Sequence, residues 1–405
     1  MSSCFRKSAW LLFVPVIALS WSSTAQAQQA TSQPVRQLVA VEGQGYLELV
    51  DGYRVLHLKG SPAEMGRQHG LLLRDEVRAN CDFLLSDEGK KPVKMGPVTL
   101  PRSAMMAMLC AQFKERIPKR YLVEMEALAS AAGMAPDKVI GCNLIPEMFH
   151  CSGFALLSPV TAERKLYHGR ILDYGVDLRL QEHAVLIIQE PQGGIPFVNV
   201  GYAGFIGSVT GMNLRQVGIG EMGGGGDGQW NGVPMSFLVR DVLEKAQTLD
   251  EAVAVFRDNP RTCEYYYVIS DAKSDSAVGI RAVPESLTVI QAGESHPQLP
   301  TPVPGTVIMS AGKRYPELVN RIQADAGRFT EQTAIDLMDA PVAMKHNLHD
   351  VLMIPADGIV YVANAAADGS PAWQQKYYRF DIKHLMSTRP GKNVKQDAAS
   401  APRNP

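Results

Sequence analysis

The sequence predicts an α+β fold made of packed layers of helices and sheet. Three observations lead to this prediction. Residues 44–150 are patterned mainly as helices after one opening strand. At Cys151 the periodicity changes to that of strands, and beyond it the order is strand, strand, helix, helix, strand, strand. Because regular alternation of strand and helix is missing, a layered sandwich is favoured over a doubly wound sheet.

The helical part carries clear start and stop signals. Ser61, followed three residues later by Glu64, has the sequence of a capping box. A second helix is expected to end at Gly133, because glycine readily adopts the left-handed conformation that terminates helices. A third helix begins near Asp137 and leads towards Cys151.

The part after Cys151 is predicted as two groups of strands around two helices. Strand-like runs occur in "GFALLSPV", "KLYHGRILDY", "HAVLIIQE", "PFVNVGYAG" and "QVGIGEM". The two helices are "PMSFLVRDVLEKAQ" and "LDEAVAVFRD", the second opened by a capping box from Thr248 to Glu251. Hairpins are predicted in "EYYYVIS" with "SAVGIRA" and in "HDVLMI" with "GIVYVAN", with the helix "TAIDLMDA" between them.

The two ends of the chain are expected to lie outside the folded part. Arg6 and Lys7 precede an apolar run, and "AQA" at 25–27 supplies the small residues of a cleavage site. We therefore expect residues 1–27 to be an export signal and the mature protein to be periplasmic or extracellular. No later stretch approaches ~20 uninterrupted apolar residues, so no membrane span is expected. The polar tail 386–405 is predicted to be disordered.

Charge and cysteine content exclude several classes of partner and site. The formal net charge is −1 without a dense basic tract, which argues against binding nucleic acid or an anionic membrane. Without the signal the chain keeps an odd number of cysteines, so an oxidising compartment would leave at least one free thiol and allow two bridges in three connectivities. None of them forms a CxxC or zinc-type pair, and no metal or cofactor is expected. These cysteines are Cys81, Cys110, Cys142, Cys151 and Cys263.

Cys151 could be a core residue, half of a disulfide, a metal ligand or a nucleophile. It lies where a helical segment gives way to a strand, and Ser152 and Gly153 leave room beside the thiol. Within one hairpin's length the chain returns with Arg170 and Asp173. A cation and a carboxylate near a thiol can orient it and favour the reactive thiolate. These features favour the nucleophile.

Five segments together resemble the C45 peptidase family, the autoproteolytic acyltransferases and hydrolases related to acyl-coenzyme A:isopenicillin N acyltransferase. The resemblance spans roughly residues 44–382, and its most specific parts are the helix motif and the unit from the cysteine to "GRxxDY". The segments are "LKGSPAEMGRQHGLLL" (58–73), "CSGFA" (151–155), "HGRILDY" (168–174), "GMN…GIGEM" (211–222) and "NLHDVLMIPADGIVYVANA" (347–365).

The resemblance implies an N-terminal nucleophile hydrolase with a four-layer αββα sandwich, made as an inactive precursor. By similarity the chain is cut between His150 and Cys151, which makes Cys151 the first residue of the larger fragment. Residues 28–150 would remain as a small subunit associated with the catalytic core, 151–385. The freed α-amino group, with a reference pKa of about 7.7 to 8.0, can then serve as general base for its own thiol.

Other site residues are carried over from the family's pattern. Arg170 and Asp173 match its Arg-x-x-Asp, where the aspartate contacts the nucleophile's amino group and the arginine helps to hold the site. The alternative interpretation is an ordinary surface salt bridge. Asn213 is a further candidate catalytic residue, or it simply forms the glycine-containing turn in which it stands.

One position departs from the family. Relatives commonly carry an oxyanion-hole asparagine where this chain has Ala311, flanked by Ser310 and Gly312. Losing one oxyanion donor costs about 10² to 10³ in rate. Either a backbone amide, Ser310 or Asn213 replaces the asparagine, or the enzyme is slow or altered in its chemistry.

The histidines are predicted to be structural. His69 lies on a helix beside apolar residues, which is typical of a hydrogen-bonded core histidine, and the same holds for His349. His346 and His349 stand three residues apart, but no acidic ligand accompanies them, so a metal site is not expected.

The predicted function is an exported cysteine hydrolase that cleaves carbon–nitrogen amide bonds of small molecules, with or without acyl transfer. An alternative hypothesis is an enzyme with the same site that hydrolyses esters or lipid amides, as in the acid ceramidase and phospholipase B-like groups. A binding protein with a degenerate, uncleaved site is the alternative from another class, motivated by Ala311. A papain-like protease is a weaker rival, because the surroundings of Cys151 lack that family's glutamine and tryptophan.

Overall fold

The computed structural model describes residues 34–87, 92–95, 98–145, 150–225 and 229–391. The predicted export signal and the segment immediately before His150 lie outside the described residues, as does the tail from residue 392 onward. The predictions made for them stay predictions. The last helix ends at Ser387 and so includes the first two residues of the predicted tail.

The strands of the described residues account for both sheets and a small separate hairpin. They are β1 (Arg36–Glu42), β2 (Gly45–Val50), β3 (Tyr53–Gly60), β4 (Val93–Met95), β5 (Val98–Leu100), β6 (His150–Leu156), β7 (Tyr167–Asp173), β8 (Ala184–Pro191), β9 (Phe197–Tyr202), β10 (Thr210–Asn213), β11 (Val217–Gly223), β12 (Tyr265–Asp271), β13 (Ser276–Ala282), β14 (Leu287–Gln291), β15 (Thr306–Met309), β16 (Asn347–Ile354), β17 (Ile359–Asn364) and β18 (Tyr378–Asp381).

The helices form the outer layers and the N-terminal part. They are α1 (Pro62–Leu72), α2 (Arg74–Leu85), α3 (Arg102–Phe113), α4 (Lys119–Ala132), α5 (Pro136–Leu144), α6 (Met235–Lys245), α7 (Leu249–Asp258), α8 (Arg314–Asp325), α9 (Glu331–Asp336) and α10 (Ile382–Ser387). Among the residues described, none of these helices has the length and hydropathy needed to cross a bilayer.

Two sheets face each other at the centre of the fold. The larger has the order β1-β2-β3-β8-β9-β10-β11-β12-β13-β14 and the smaller β15-β6-β7-β16-β17-β18. The inner contact is made mainly by β6 and β7 against β11 and β12. Helices α1, α6 and α7 pack on the larger sheet, while α8 and α9 pack on the smaller. The predicted α+β class and its αββα layering are therefore confirmed.

The part of the chain before Cys151 contributes strands to the larger sheet. The sequence had predicted one strand in this part. This part contributes β1 and β2 as well, and β3 pairs in parallel with β8, a strand from beyond Cys151. Val55, for example, lies opposite Leu186. Backbone hydrogen bonds thus join the segments on either side of Cys151, in addition to the packing of their side chains.

Local signals in the sequence act as predicted. Ser61 caps α1 in a complete capping box with Glu64. Gly133 ends α4 with φ +72°, a left-handed conformation that costs little without a Cβ. Thr248 accepts the backbone N–H of Glu251 at the start of α7. These positions depend on only a few neighbouring residues, which is why the sequence suffices to find them.

Candidate active site

Cys151 lies at the start of β6, the second strand from one edge of the smaller sheet. β6 is flanked by β15 and β7, and Cys151 is paired with Leu172 in the register of β7. The cysteine is 5% exposed. All five cysteines of the described chain are free thiols. Cys151 is therefore a buried thiol at a strand start, and the disulfide that was one of its alternatives is not formed.

The guanidinium of Arg170 lies beside this thiol. Its Nη2 is 3.1 Å from Cys151 Sγ, and the same nitrogen donates to the carbonyl oxygen of Glu221 at 2.8 Å. Glu221 also places Oε2 at 3.4 Å from Nη2, and neither charged side chain of this ion pair has any exposed surface. Cys151, Arg170 and Glu221 thus form a buried cluster between the two sheets, which we call the thiol cluster.

Two glycines make space for the thiol cluster. A Cβ on Gly220 would lie 2.6 Å from Arg170 Cγ, so only glycine lets the arginine cross the interface between the sheets. A Cβ on Gly153 would lie 2.8 Å from the sulfur of Met222. The glycines in "CSG" and "GIG" are therefore needed for close packing of side chains.

Burial dominates the ionisation of the thiol. It raises the pKa of Cys151 to about 12, although Arg170 pulls in the opposite direction, as does a hydrogen bond from the backbone amide of Asp173. The expectation that the nearby charges make a thiolate is thus not met in this form of the chain. Desolvation of a buried sulfur outweighs one guanidinium that is itself neutralised by Glu221.

Asp173 flanks the same strand start from another direction. It is paired with His150, the residue before Cys151, and it is 2% exposed. Its carboxylate accepts from Arg314 Nη1 at 2.5 Å and from the backbone N–H of Met344 at 2.9 Å. Burial raises the pKa of Asp173, against the effect of these two donors. A surface salt bridge between Arg170 and Asp173 is excluded, because both are buried and each has other partners.

Asn213 does not take part in this arrangement, and its candidate catalytic role does not fit the geometry. Its amide nitrogen donates to the carbonyls of Leu243 and Ala246, and its oxygen accepts two backbone N–H groups of the turn that follows. The turn lies at the opposite end of β11 from Glu221. Asn213 is therefore the turn-forming asparagine of the alternative interpretation, and it joins that turn to the end of α6.

A cavity of about 360 Å³ opens next to Cys151. Its wall is largely apolar, and the polar groups come from Arg281, His296, Gln298 and the loop after β15. Arg281 is partly neutralised by Glu264, with Nε and Oε1 2.7 Å apart. The apolar lining consists of Met222, Tyr266, Ile290, Leu299 and Met309.

The loop that follows β15 borders the thiol. β15 runs antiparallel to β6 with Met309 opposite Gly153, so the next residues continue towards Cys151. Ser310 Oγ lies 2.8 Å from Ser152 Oγ, and Ala311 and Gly312 line the cavity. The position where the resemblance leads one to expect an asparagine thus has no side-chain donor. Hydroxyl and backbone groups remain nearby.

The histidines considered in the sequence have structural surroundings. His69 Nε2 accepts the backbone N–H of Gly204 at 3.0 Å, and burial lowers the pKa of His69 to about 3. His349 is bonded to Tyr202 and Thr210 across the two sheets, and burial again lowers the pKa of His349 well below its usual value. No group of three or more potential metal ligands occurs in the described ranges.

Sequence reasoning missed two charged residues of the site. Glu221 stands in a strand of glycine and apolar residues, where a buried carboxylate requires a cation, and this signal could have been used. Arg314 begins α8, and its contact with Asp173 depends on how that helix packs, which the sequence does not indicate. Cys151 and Arg170 meet as predicted, and their catalytic roles stay predictions.

Comparison with known proteins confirms the predicted family resemblance. The sequence model of the family "Acyl-coenzyme A:6-aminopenicillanic acid acyl-transferase" matches residues 161–294, about a third of the chain. This range contains Arg170, Asp173 and Glu221 and begins after Cys151.

Three curated relatives are similar to this chain at low identity. Protein dcd1B of Dictyostelium discoideum is 24% identical over 379 residues, covering 83% of this chain and 75% of the relative. The N-acylethanolamine-hydrolyzing acid amidase of Caenorhabditis elegans is 24% identical over 179 residues, covering 39% and 49%. The acid ceramidase of Rattus norvegicus is 26% identical over 213 residues, covering 44% and 52%.

Proposed function

Since the chain is similar to a family of acyl-transferring enzymes and to amidases, we propose that it hydrolyses or transfers the acyl group of carbon–nitrogen amides through a thioester on Cys151. The observation that carries this proposal is the Cys151 thiol at a strand start, 3.1 Å from a buried arginine and open to an apolar cavity. A cysteine placed for packing alone needs neither the cation nor the cavity.

The first step of the proposal is cleavage between His150 and Cys151. The thiol sulfur attacks the carbonyl carbon of His150, the carbon–nitrogen bond breaks, and the nitrogen becomes the α-amino group of Cys151. Water then hydrolyses the thioester, which leaves a carboxylate on His150 and restores the thiol. The two fragments are expected to stay together, because β3 and β8 belong to different fragments and share a ladder of backbone hydrogen bonds.

Turnover in the processed protein uses the new amino group as general base. In the uncleaved chain burial raises the pKa of this thiol to about 12, and we therefore propose that turnover needs a proton acceptor for it in the transition state. The amine takes the thiol proton, the sulfur acquires the acyl group, and the protonated amine donates to the leaving nitrogen. Water or another amine then accepts the acyl group. Arg170 holds the sulfur at a fixed place during both steps.

The acyl part of the substrate is expected to be apolar. The cavity beside the thiol presents methionine, leucine, isoleucine and tyrosine side chains, and burying each CH₂ of an acyl chain there contributes about 0.8 kcal/mol. Polar groups suited to hydrogen-bonding a neutral head are provided by Gln298 and His296. The names of two relatives, an N-acylethanolamine-hydrolyzing acid amidase and an acid ceramidase, support a lipid amide as one such substrate, and an ester of the same acyl group is the alternative.

Export is proposed together with this activity on the strength of the N-terminal segment. Arg6, Lys7, the apolar run and "AQA" form a signal peptide pattern. Expression with and without residues 1–27, followed by fractionation and N-terminal sequencing, tests this proposal. A protein retained in the cytoplasm with its first residues intact would contradict it.

The test of function compares the wild type with Cys151→Ala and Cys151→Ser. We expect two co-purifying fragments for the wild type only, the larger beginning "CSGFALL", and hydrolysis of chromogenic anilides of short and medium-length fatty acids by the wild type only. Cys110→Ala is the matched control, because Cys110 is also a free thiol but lies elsewhere. Its fragments and rate should equal those of the wild type.

A binding protein of the same fold is the second candidate, favoured by the absence of a side-chain donor at Ala311. A wild-type chain that stays uncut, as Cys151→Ala does, and is inert towards every anilide would establish that candidate. Fragments without anilide turnover would separate self-processing from the proposed amidase activity.

A further inference from the structure

One charged side chain of the cavity beside Cys151 takes no part in the chemistry proposed above. Arg281 lines this cavity, and its side chain is 33% exposed although it forms an ion pair with Glu264. No aspartate or glutamate is among the described residues that line the cavity. We propose that Arg281 is a specificity-determining residue, which binds a carboxylate at the far end of the substrate's acyl chain. The preferred substrates are then monoamides of dicarboxylic acids.

The inference rests on the function proposed above, which assigns the acyl chain to this cavity, and its first support is a row of side chains on the larger sheet. Met222 of β11 is paired with Tyr266 of β12, and Tyr266 is paired with Arg281 of β13. Directly paired residues of neighbouring strands have their side chains on the same face of the sheet. All three side chains line the cavity, so this row forms one of its walls.

The row leads from the strand that carries the thiol to the guanidinium. At its near end, the sulfur of Met222 lies against Gly153, two residues after Cys151, where a Cβ would be only 2.8 Å away. Arg281 stands two strands further on, and neighbouring strands are about 4.8 Å apart, so the backbones of Met222 and Arg281 are separated by about 10 Å. An acyl chain laid along this row passes apolar side chains before its end reaches Arg281.

The second support is the geometry of the ion pair between Arg281 and Glu264. Arg281 donates to Glu264 Oε1 from Nε at 2.7 Å, while Glu264 Oε2 accepts from the backbone N–H of Gly225 at 3.3 Å. Tyr266 forms a further hydrogen bond with the guanidinium. Because a guanidinium has five N–H groups, several on the terminal nitrogens remain for a second carboxylate, which such nitrogens bind well through two parallel bonds.

The third support is the character of the other polar groups in the cavity. His296 Nδ1 accepts the backbone N–H of Gln298 at 3.2 Å, so the neutral imidazole of His296 carries its proton on Nε2 and is a donor there. The side-chain amide of Gln298 is a second neutral donor. The cavity wall thus combines one arginine with neutral donors, and a cleft lined by one sign of charge attracts ligands of the opposite sign.

Arg281 lies far from the bond that is cut, and this determines which kinetic constant it affects. Its contact with the substrate is the same in the ground state and in the transition state, so losing it raises KM and leaves kcat unchanged. We expect an effect of about tenfold, the lower end for a hydrogen bond to a charged group, because the guanidinium is partly exposed and is shared with Glu264. An arginine that only supports the fold would affect anionic and neutral substrates alike.

The experiment measures kcat and KM for the mono-para-nitroanilides of adipic, suberic and sebacic acid and for their neutral methyl esters. In the wild type, KM for the best acid should be about tenfold lower than for its methyl ester, with similar kcat. Arg281→Gln should have equal KM for acid and ester and keep the wild-type kcat, whereas Arg281→Lys should retain part of the preference. Arg67→Gln is the matched control, because Arg67 is an exposed arginine paired with Glu42 outside the cavity, and this variant should match the wild type.

Two outcomes overturn the role of Arg281 while leaving the proposed function intact. One is a wild type that hydrolyses acid and ester with equal KM, a comparison that needs no variant and so holds even where Arg281→Gln does not fold. The other is an Arg281→Gln variant with the preference of the wild type.

A wild type inert towards every anilide removes the proposed function, and binding then decides about Arg281 separately. Calorimetry of Cys151→Ala with the same compounds should show the acid bound about tenfold more tightly than its ester, and the difference should vanish when Arg281→Gln is added. Equal affinities for acid and ester in Cys151→Ala, or no binding of either, would contradict the inference.

Discussion

Two fully buried arginines, Arg170 and Arg240, are paired with carboxylates in this protein, and they are used very differently. Arg240 donates to Glu124 from both terminal nitrogens, to Glu244 from Nε and to the carbonyl of Ile206. Arg170 donates from Nη2 alone. This nitrogen contacts Cys151 Sγ, the backbone carbonyl oxygen of Glu221 and the carboxylate oxygen Oε2 of Glu221. The Nε and Nη1 of Arg170 are buried and donate to no other group in the described part of the chain.

The difference separates an ion pair that supports the fold from one suited to chemistry. Arg240 lines a cavity of about 410 Å³ and Cys151 lines one of about 360 Å³, so the size of a cavity does not identify the site. A fully satisfied network has no bond left to offer a ligand. Unsatisfied donors beside a nucleophile are costly for stability and are therefore expected where function requires them.

The largest effect is expected on stability at Arg240. Arg240→Met would leave the buried Glu124 without the arginine that pairs with it, and breaking a buried pair in this way costs about 3 to 5 kcal/mol. Denaturant unfolding of the processed protein measures the loss. The exposed Arg257 forms an ion pair with its neighbour Asp258, and the control Arg257→Met should change the free energy of unfolding by less than about 1 kcal/mol.

The catalytic counterpart is Arg170. Arg170→Met removes the donor that holds the sulfur, and we expect kcat/KM for an anilide to fall about 10² to 10³-fold, the range observed when a preorganised donor is lost from an active site. Circular dichroism and the unfolding transition should show a folded protein. If Arg240→Met lowered the activity of the folded fraction as much as Arg170→Met does, the distinction between the two arginines would be wrong.

Asn213 provides a sharper comparison, because the sequence left open whether it is catalytic or forms a turn, and the structure places it in a turn. Asn213→Ala would leave backbone donors and acceptors of the turn and of α6 unpaired, which costs about 1 to 3 kcal/mol of stability. The kcat of the folded fraction should stay within about twofold of the wild-type value. A tenfold change in kcat would correspond to about 1.4 kcal/mol of activation free energy. A tenfold loss of kcat without loss of stability would return Asn213 to the catalytic residues.

The fold could be predicted where short-range rules decide it. Ser61 and Gly133 mark the ends of helices through capping and through backbone conformation, both of which depend on adjacent residues. The strands β1 and β2 were missed because their membership of the larger sheet depends on β3 pairing with β8, far along the chain. Neither propensity nor periodicity encodes that pairing.

The site could be predicted only where the spacing of its residues is characteristic. Cys151, Arg170 and Asp173 lie on two adjacent strands joined by one connection, so the hairpin brings them together. Glu221 and Arg314 come from the opposite sheet and from an outer helix, and only the packing of layers places them there. The protonation of the thiol was also beyond the sequence, because it depends on how completely the sulfur is buried.

The smallest effect is expected at Ser310, and it decides what replaces the asparagine that this chain lacks at position 311. If the backbone amides of the loop provide the oxyanion contact, Ser310→Ala removes only the hydrogen bond to Ser152, worth about 0.5 to 1.5 kcal/mol, and kcat falls by no more than about tenfold. If the hydroxyl of Ser310 itself stabilised the oxyanion, the loss would be about 10² to 10³-fold. Ser152→Ala is the matched control, since it breaks the same hydrogen bond and leaves the Ser310 hydroxyl in place. Equal, modest losses of kcat in the two variants would assign the oxyanion contact to the backbone, and a large loss in Ser310→Ala alone would assign it to the side chain.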